Sequence, residues 1–138
     1  MNAKSSTKNS LIAPCGMNCG ICRAYLREKN KCPGCRNSDE NKLSSRVNCK
    51  IKNCNELKKN NLKFCYNCKK FPCERINHLD KRYRTKYNMS MIENLKNIEK
   101  IGIGKFVSNE KIRWTCSNCG CAICIHNGFC LGCREKKL

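Results

Sequence analysis

Cys15-Gly-Met-Asn-Cys19-Gly-Ile-Cys22 is followed, after a gap of one short helix, by Lys31-Cys32-Pro33-Gly34-Cys35. The device returns at Cys49, Cys54, Cys65, Cys68 and Cys73, and again at Cys116, Cys119, Cys121, Cys124, Cys130 and Cys133. Two thiols separated by two residues can reach one tetrahedral ion, and two such pairs complete its shell. These repeats decide the fold, because little else in the chain can stabilise one. The apolar content of 40% includes all 16 cysteines of the 138-residue chain. The remaining apolar residues make a thin core for this length, so crosslinks or metals must contribute.

Disulfides, iron–sulfur clusters and structural zinc are the three ways to use so many thiols. The first ten residues are polar and lysine-bearing, and Leu11-Ile12-Ala13 is too short for the apolar part of an export signal. No run approaches a membrane span. The expectation is a cytoplasmic chain, in which dense CxxC pairs bind metal rather than each other. Zinc is favoured. An iron–sulfur cluster is the alternative, although the ferredoxin spacing that ends in cysteine-proline does not occur.

The expected architecture is small, metal-stabilised and mainly helical, with irregular zinc-knuckle loops and a C-terminal zinc-ribbon-like lobe. It divides into a disordered tail (1–11), an N-terminal cysteine-rich lobe (12–73), a helical segment (74–113) and the ribbon-like lobe (114–138). Ile21, Cys22, Tyr25 and Leu26 keep a helical period, so a helix is predicted to begin at the first cluster with Cys19 and Cys22 on one face of its first turn. Gly16 and Gly20 permit tight turns beside the sulfurs. Residues 36–48 read as loop, and a short helix is expected over Asn55–Lys59. Phe71-Pro72-Cys73 opens the longest helix, Pro72 suiting a first-turn position, and Ile76, Leu79, Tyr83 and Tyr87 form its apolar stripe. Ser90 and Glu93 read as a capping box for a second helix carrying Met91, Ile92, Leu95, Ile98 and Ile101, with Gly102 as its stop. A third helical piece from Gly104 to Ile112 brings Phe106, Val107 and Trp114 against it.

The last cysteine block reads most clearly. Cys116-x2-Cys119 and Cys130-x2-Cys133 are separated by ten residues, which is ribbon spacing for one ion held by four cysteines. Cys121, Cys124 and His126 lie inside the intervening loop. Cys124 is a further candidate ligand, whereas His126 reads as a hydrogen-bonding loop residue. Upstream, loop-closure entropy favours local sets: Cys19, Cys22, Cys32 and Cys35 in one site, Cys54, Cys65, Cys68 and Cys73 in another. A crossed arrangement, with Cys32, Cys35, Cys49 and Cys54 together and Cys15, Cys19 or Cys22 meeting the Cys65–Cys73 group, is the competing partition. The expected count is three or four zinc ions.

These motifs have a specific resemblance. Ala13-Pro14-Cys15-Gly16-x2-Cys19-x2-Cys22, the CPGC at 32–35, Phe64-Cys65-Tyr66-x-Cys68, Phe71-Pro72-Cys73 and Leu79-Asp80-Lys81-Arg82-Tyr83-Arg84 resemble a small cysteine-rich prokaryotic family of unknown function with predicted zinc binding, found largely in anaerobic bacteria and archaea. The resemblance covers roughly 12–133, and Trp114-x-Cys116-x2-Cys119 to Cys130-x2-Cys133 looks like its longer members. By position it implies metal binding at Cys15, Cys19, Cys22, Cys32, Cys35, Cys49, Cys54, Cys65, Cys68 and Cys73. It implies no activity.

The formal charge is +19. Each four-thiolate zinc site carries a net −2, so three sites lower it to +13 and four to +11. Residues 23–73 alone hold fourteen basic and four acidic side chains, a surplus of +10. Such a field attracts polyanions, nucleic acid first and an acidic protein second. Scattered lysines also make an ordinary solvated surface, and 20 of the 29 basic residues are lysine. Arg75, Lys81, Arg82 and Arg84 on the longest predicted helix are the candidate contacts, with Phe64, Tyr66, Tyr83 and Tyr87 as candidate stacking partners. No pairing of the ten acidic residues and two histidines suggests a general acid–base site, and no small-molecule substrate is evident. Alkyl transfer to a zinc-bound thiolate is the one chemistry the composition allows. The reading is a structural multi-zinc module for binding or regulation, with redox or metal handling as the alternative.

Overall fold

The structure, a computed structural model, describes residues 8–27 and 29–133. Helices dominate it. In chain order they are α1 (Arg23–Leu26), α2 (Ser44–Val47), α3 (Asn55–Lys59), α4 (Glu74–Tyr87), α5 (Met91–Ile101) and α6 (Ile103–Arg113), with 3-10 turns at Asn9–Leu11, Cys19–Ile21 and Cys65–Asn67. A two-stranded antiparallel hairpin, β1 (Ile123–Cys124) and β2 (Phe129–Cys130), closes the described chain.

The three long helices follow from their stripes and caps. In α4, Ile76 and Tyr83 are buried. The helix starts two residues later than the proline position suggests: Cys73 is its extended N-cap, and Pro72 precedes it after a cis peptide bond. Helix α5 buries Met91, Leu95 and Ile98. Only half of the expected capping box forms at its start. The Glu93 amide donates to Ser90 Oγ at 3.1 Å, but the carboxylate partner comes from α4 rather than Glu93. Asp80 Oδ1 accepts from Ser90 Oγ at 2.6 Å and from the Ile92 amide at 3.0 Å, while Arg84 Nε donates to Asp80 Oδ2 at 2.5 Å. A tertiary carboxylate with its own counter-charge is a better acceptor than an exposed local one. Gly102, with φ +85°, ends α5, and α6 follows at once.

Two apolar clusters share the α5 stripe. Leu11, Met17, Ile21, Tyr83, Met89, Met91, Trp114, Ile123 and Ile125 form one; Ile12, Leu57, Phe64, Ile76, Leu95, Ile98, Phe106 and Val107 form the other. Trp114, expected beside Phe106 and Val107, lies in the first cluster because the chain has by then left α6 for the hairpin. Met89 and Met91 are core residues.

Other local expectations change. Positions 1–7 and 134–138, assigned to the tail and to the end of the ribbon lobe, lie outside the described residues. Asn9–Leu11, also assigned to the tail, turns inward and buries Leu11. The helix predicted from Cys19 is broken at Cys22, whose backbone is extended (ψ 137°), so Cys19 and Cys22 do not share one helical turn. The loop over 36–48 contains the single turn of α2, whereas α3 has its predicted bounds.

Candidate metal centre

The clearest site is built on the hairpin. Pairing of Ile123 with Cys130 and Cys124 with Phe129, together with the bridge from Thr115 to Ala122, brings the two CxxC turns side by side. Reciprocal amide bonds fold the first turn: Gly120 donates to Cys116 O and Cys116 to Cys121 O, both at 2.8 Å. In the second turn the Gly132 amide donates to Cys130 Sγ at 3.3 Å, an orientation that stabilises negative charge on sulfur.

The sulfurs of Cys116, Cys119, Cys130 and Cys133 all lie within 4.8 Å of one another. Cys116 and Cys133 Sγ are 3.7 Å apart, and Cys119 and Cys130 Sγ are 3.3 Å apart. A disulfide would need about 2.05 Å, and all sixteen cysteines carry free thiols. Four convergent soft donors of this kind could hold a metal ion. Among the described residues no other set of three or more potential ligands converges as closely. Gly132 is required by the packing here, since a Cβ on it would sit 2.7 Å from Cys121 Sγ and 3.0 Å from Cys119 Sγ. Cys121 is thus a fifth sulfur beside the quartet. Its position is visible in the sequence only as an extra cysteine two residues after Cys119.

Cys124 does not join them. It is fully buried in β1 with Ala122 and Leu26, on the face of the hairpin turned toward α1. His126 docks the hairpin onto the first cysteine turn. The Arg23 amide donates to His126 Nδ1 at 3.2 Å, which makes Nδ1 the acceptor and puts the ring proton on Nε2, 3.0 Å from Tyr83 Oη. The Ile125 amide donates to Ile21 O at 3.0 Å beside it. Burial, then the positive charges of Arg46 and Arg23, push the His126 ring down to about 4, so it is neutral at pH 7.

The ten upstream cysteines fall into two neighbourhoods. In the first, the Cys35 amide lies 3.5 Å from Cys19 Sγ, and a hydrogen bond from the Cys19 thiol lowers Cys35 to about 6, helped by Lys42, Arg46 and Lys52 against its burial. The Cys19 thiol rises correspondingly. Cys22 and Cys32 face the same cavity as Cys19 and Cys35. Burial, then the neighbouring Cys35, push Cys15 up to about 12. In the second neighbourhood, burial raises the Cys65 thiol first, followed by Cys15, Cys73, Cys54 and Cys68 around it. Cys49 stands between the two, close enough to act on Cys15 and Arg46.

Residues 11–78, which carry these ten thiols, match a family model described as "Protein of unknown function (DUF3795)". The match takes in 68 of the 138 residues, just under half of the chain. No curated protein and no solved structure matches the chain.

Polar groups that the sequence does not single out hold the DUF3795 segment in place. Buried Asn18 accepts from the Gly20 amide at 2.9 Å, and Asn94 Nδ2 of α5 donates to Gly16 O at 3.0 Å. Gly16 has φ +91°, and a Cβ on it would meet Leu95 and the Met91 carbonyl at 3.0 Å, so the first cysteine loop lies flat on α5. Arg36 Nε and Nη2 donate to Ile12 O and Lys63 O, both at 2.6 Å, with the guanidinium over the Phe64 ring. Asn18 and Arg36 each adjoin a cysteine in the sequence, whereas Asn94 carries no such signal.

The four basic residues predicted as one contact face separate. Arg84 is engaged by Asp80, and Arg75 Nη1 donates to Lys50 O at 3.1 Å. Arg82 borders the cavity that holds the Cys19 and Cys35 sulfurs, and Lys81 is exposed on another side of α4. Of the candidate stacking rings, Phe64 and Tyr83 are core residues, while Tyr66 and Tyr87 are half-buried.

Proposed function

We propose that this chain is a structural multi-zinc protein whose metal-clamped lobes serve as a basic binding or regulatory module. The convergence of the Cys116, Cys119, Cys130 and Cys133 sulfurs carries the reading. Four sulfurs at about 2.3 Å from a central zinc sit about 3.8 Å apart in a tetrahedron, close to the 3.7 Å between Cys116 and Cys133. A four-sulfur shell leaves no open position, which suits a structural ion rather than a catalytic one. Knuckle turns bridged by a short hairpin support a ribbon-like lobe. The Cys19/Cys22/Cys32/Cys35 and Cys54/Cys65/Cys68/Cys73 neighbourhoods supply two further sites, giving three or four ions in a cytoplasmic protein.

Metal analysis of native protein purified without oxygen tests this. The expected result is a colourless chain with at least three tightly held zinc ions. Iron with visible absorbance would replace it with the iron–sulfur and redox reading.

The partner we propose is a polyanion, nucleic acid first. The +10 surplus over 23–73 supports this, and exposed Lys29, Lys31, Lys50, Lys58, Lys59 and Lys63 carry much of it. Engagement of Arg75 and Arg84 within the fold shifts the expected contact from α4 toward these lysines. Affinity for random RNA or DNA should fall steeply as salt rises. Absence of binding at low salt would end this part of the proposal.

A further inference from the structure

A cavity of about 220 Å³ lies between α1, α2, α4 and His126. Cys19, Cys22, Cys32 and Cys35 line it, and so do Arg23 and Arg27, Lys42 and Arg46, and Arg82, from three separate stretches of chain. No Asp or Glu borders it among the described residues. Two of the cations are engaged. Arg27 donates to the carbonyls of Asn30 and Asn41, and Lys42 reaches Asp39 and the Asn37 carbonyl with a side chain only 1% exposed. Arg23, Arg46 and Arg82 show no carboxylate partner among the described residues.

Like charges brought together on separate elements repel, and thiolates below them offset only part of this. Lys42 shares Asp39 with Lys52, and the four arginines contribute +4. A divalent ion on the four thiolates would bring −2 and still leave +2. The low pKa of the neighbouring His126, set by burial and then Arg46 and Arg23, reports the same positive field. Guanidinium forks match the paired oxygens of a phosphate better than they match a point anion. The volume admits a phosphate group with a small organic substituent against the half-buried Tyr25 and Tyr87 rings that also line the cavity.

We propose that this cavity binds a small phosphate ester, with Arg23, Arg46 and Arg82 gripping the phosphate. This goes beyond the polyanion reading, which counts Arg23, Arg27, Lys42 and Arg46 in its surplus but places the contact on exposed lysines outside the cavity, so either can fail alone. The test is calorimetric titration of the full-length, metal-loaded protein with adenosine 5′-monophosphate, ribose 5-phosphate, inorganic phosphate and adenosine. Saturable one-to-one binding of the three phosphate compounds is expected. Arg46→Gln and Arg82→Gln, both changes at solvent-exposed residues, should each weaken it about tenfold through loss of a charge-assisted bond. Lys105→Gln on the outer face of α6 should leave it unchanged. The proposal is overturned if phosphate compounds give no saturable binding, if adenosine binds as tightly as its monophosphate, or if Lys105→Gln costs as much as Arg46→Gln.

Discussion

The two cysteine-rich regions of this chain solve the same problem differently. In the hairpin, eighteen residues from Cys116 to Cys133 bring four sulfurs together with short backbone bonds alone. In the DUF3795 segment, ten thiols spread over Cys15 to Cys73 are placed by tertiary contacts. The Cys65 amide donates to Pro14 O at 2.9 Å, Arg36 bridges two stretches, and Asn94 reaches in from α5. Local closure is cheap in chain entropy and produces a converged quartet. Distant closure costs more and depends on the helices already being packed. The hairpin quartet therefore closes through local bonds even though Cys116 and Cys130 also pack in the first apolar cluster, whereas the N-terminal thiols depend on distant contacts with the core.

The strongest way to break that comparison is to remove the metal proposed for the cysteine clusters. Zinc bound to four thiolates contributes on the order of 10 kcal/mol to a small domain. Chelation under reducing conditions should expose Trp114, which is buried beside Cys116, and its fluorescence should shift to the red and return on adding zinc. An unchanged spectrum would mean the apolar core holds this region alone.

Next in size is the contrast between two cysteines of the hairpin. Cys116→Ser should lose one metal ion per chain. Cys124→Ala should keep the full count and cost only about 1 kcal/mol of packing, read by chemical denaturation. Loss of metal from Cys124→Ala would place that residue in the metal shell after all. Gly132→Ala tests the crowding around Cys121 and should destabilise the loaded protein by about 1–3 kcal/mol through overpacking, with faster metal release to a chelator.

The smallest effect is expected at the joint between the two regions. His126 is held neutral, with a folded value of about 4 against about 6.5 when unfolded. The unfolded chain therefore takes up the proton first on acidification. The stability tied to the neutral ring is complete above about pH 6.5 and is lost as pH falls from there toward 4. Between pH 7 and 5 this should amount to about 1–2 kcal/mol. His126→Asn keeps an acceptor and cannot titrate, so the wild type should lose more stability than this variant over that range. Parallel curves would show that the His126 contacts to Arg23 and Tyr83 do not join the regions.

Much of the helical framework could be read directly. Period and caps placed α5 and α6 because Ser90, Gly102 and the Met91-Leu95-Ile98 stripe are local signals, and α3 fell within its expected bounds. The partners of polar groups could not be read. Asp80 capping α5, Asn94 reaching Gly16 and Glu110 meeting Asn18 are single polar residues, each with a partner ten or more residues away. Cys22 looked helical because its neighbours have the right period, yet the turn that places Cys19 against Cys35 requires an extended residue there.

By itself, the sequence determined that the chain is cysteine-rich and mainly helical, and that one quartet of thiols closes locally, because ligand spacing of two residues acts over a few bonds. Only the tertiary structure decided that Cys124 belongs to packing, that His126 is a joint, and that the α4 arginines separate instead of forming one face. Those outcomes depend on which elements meet, and that choice is made by burial and charge summed over the whole chain.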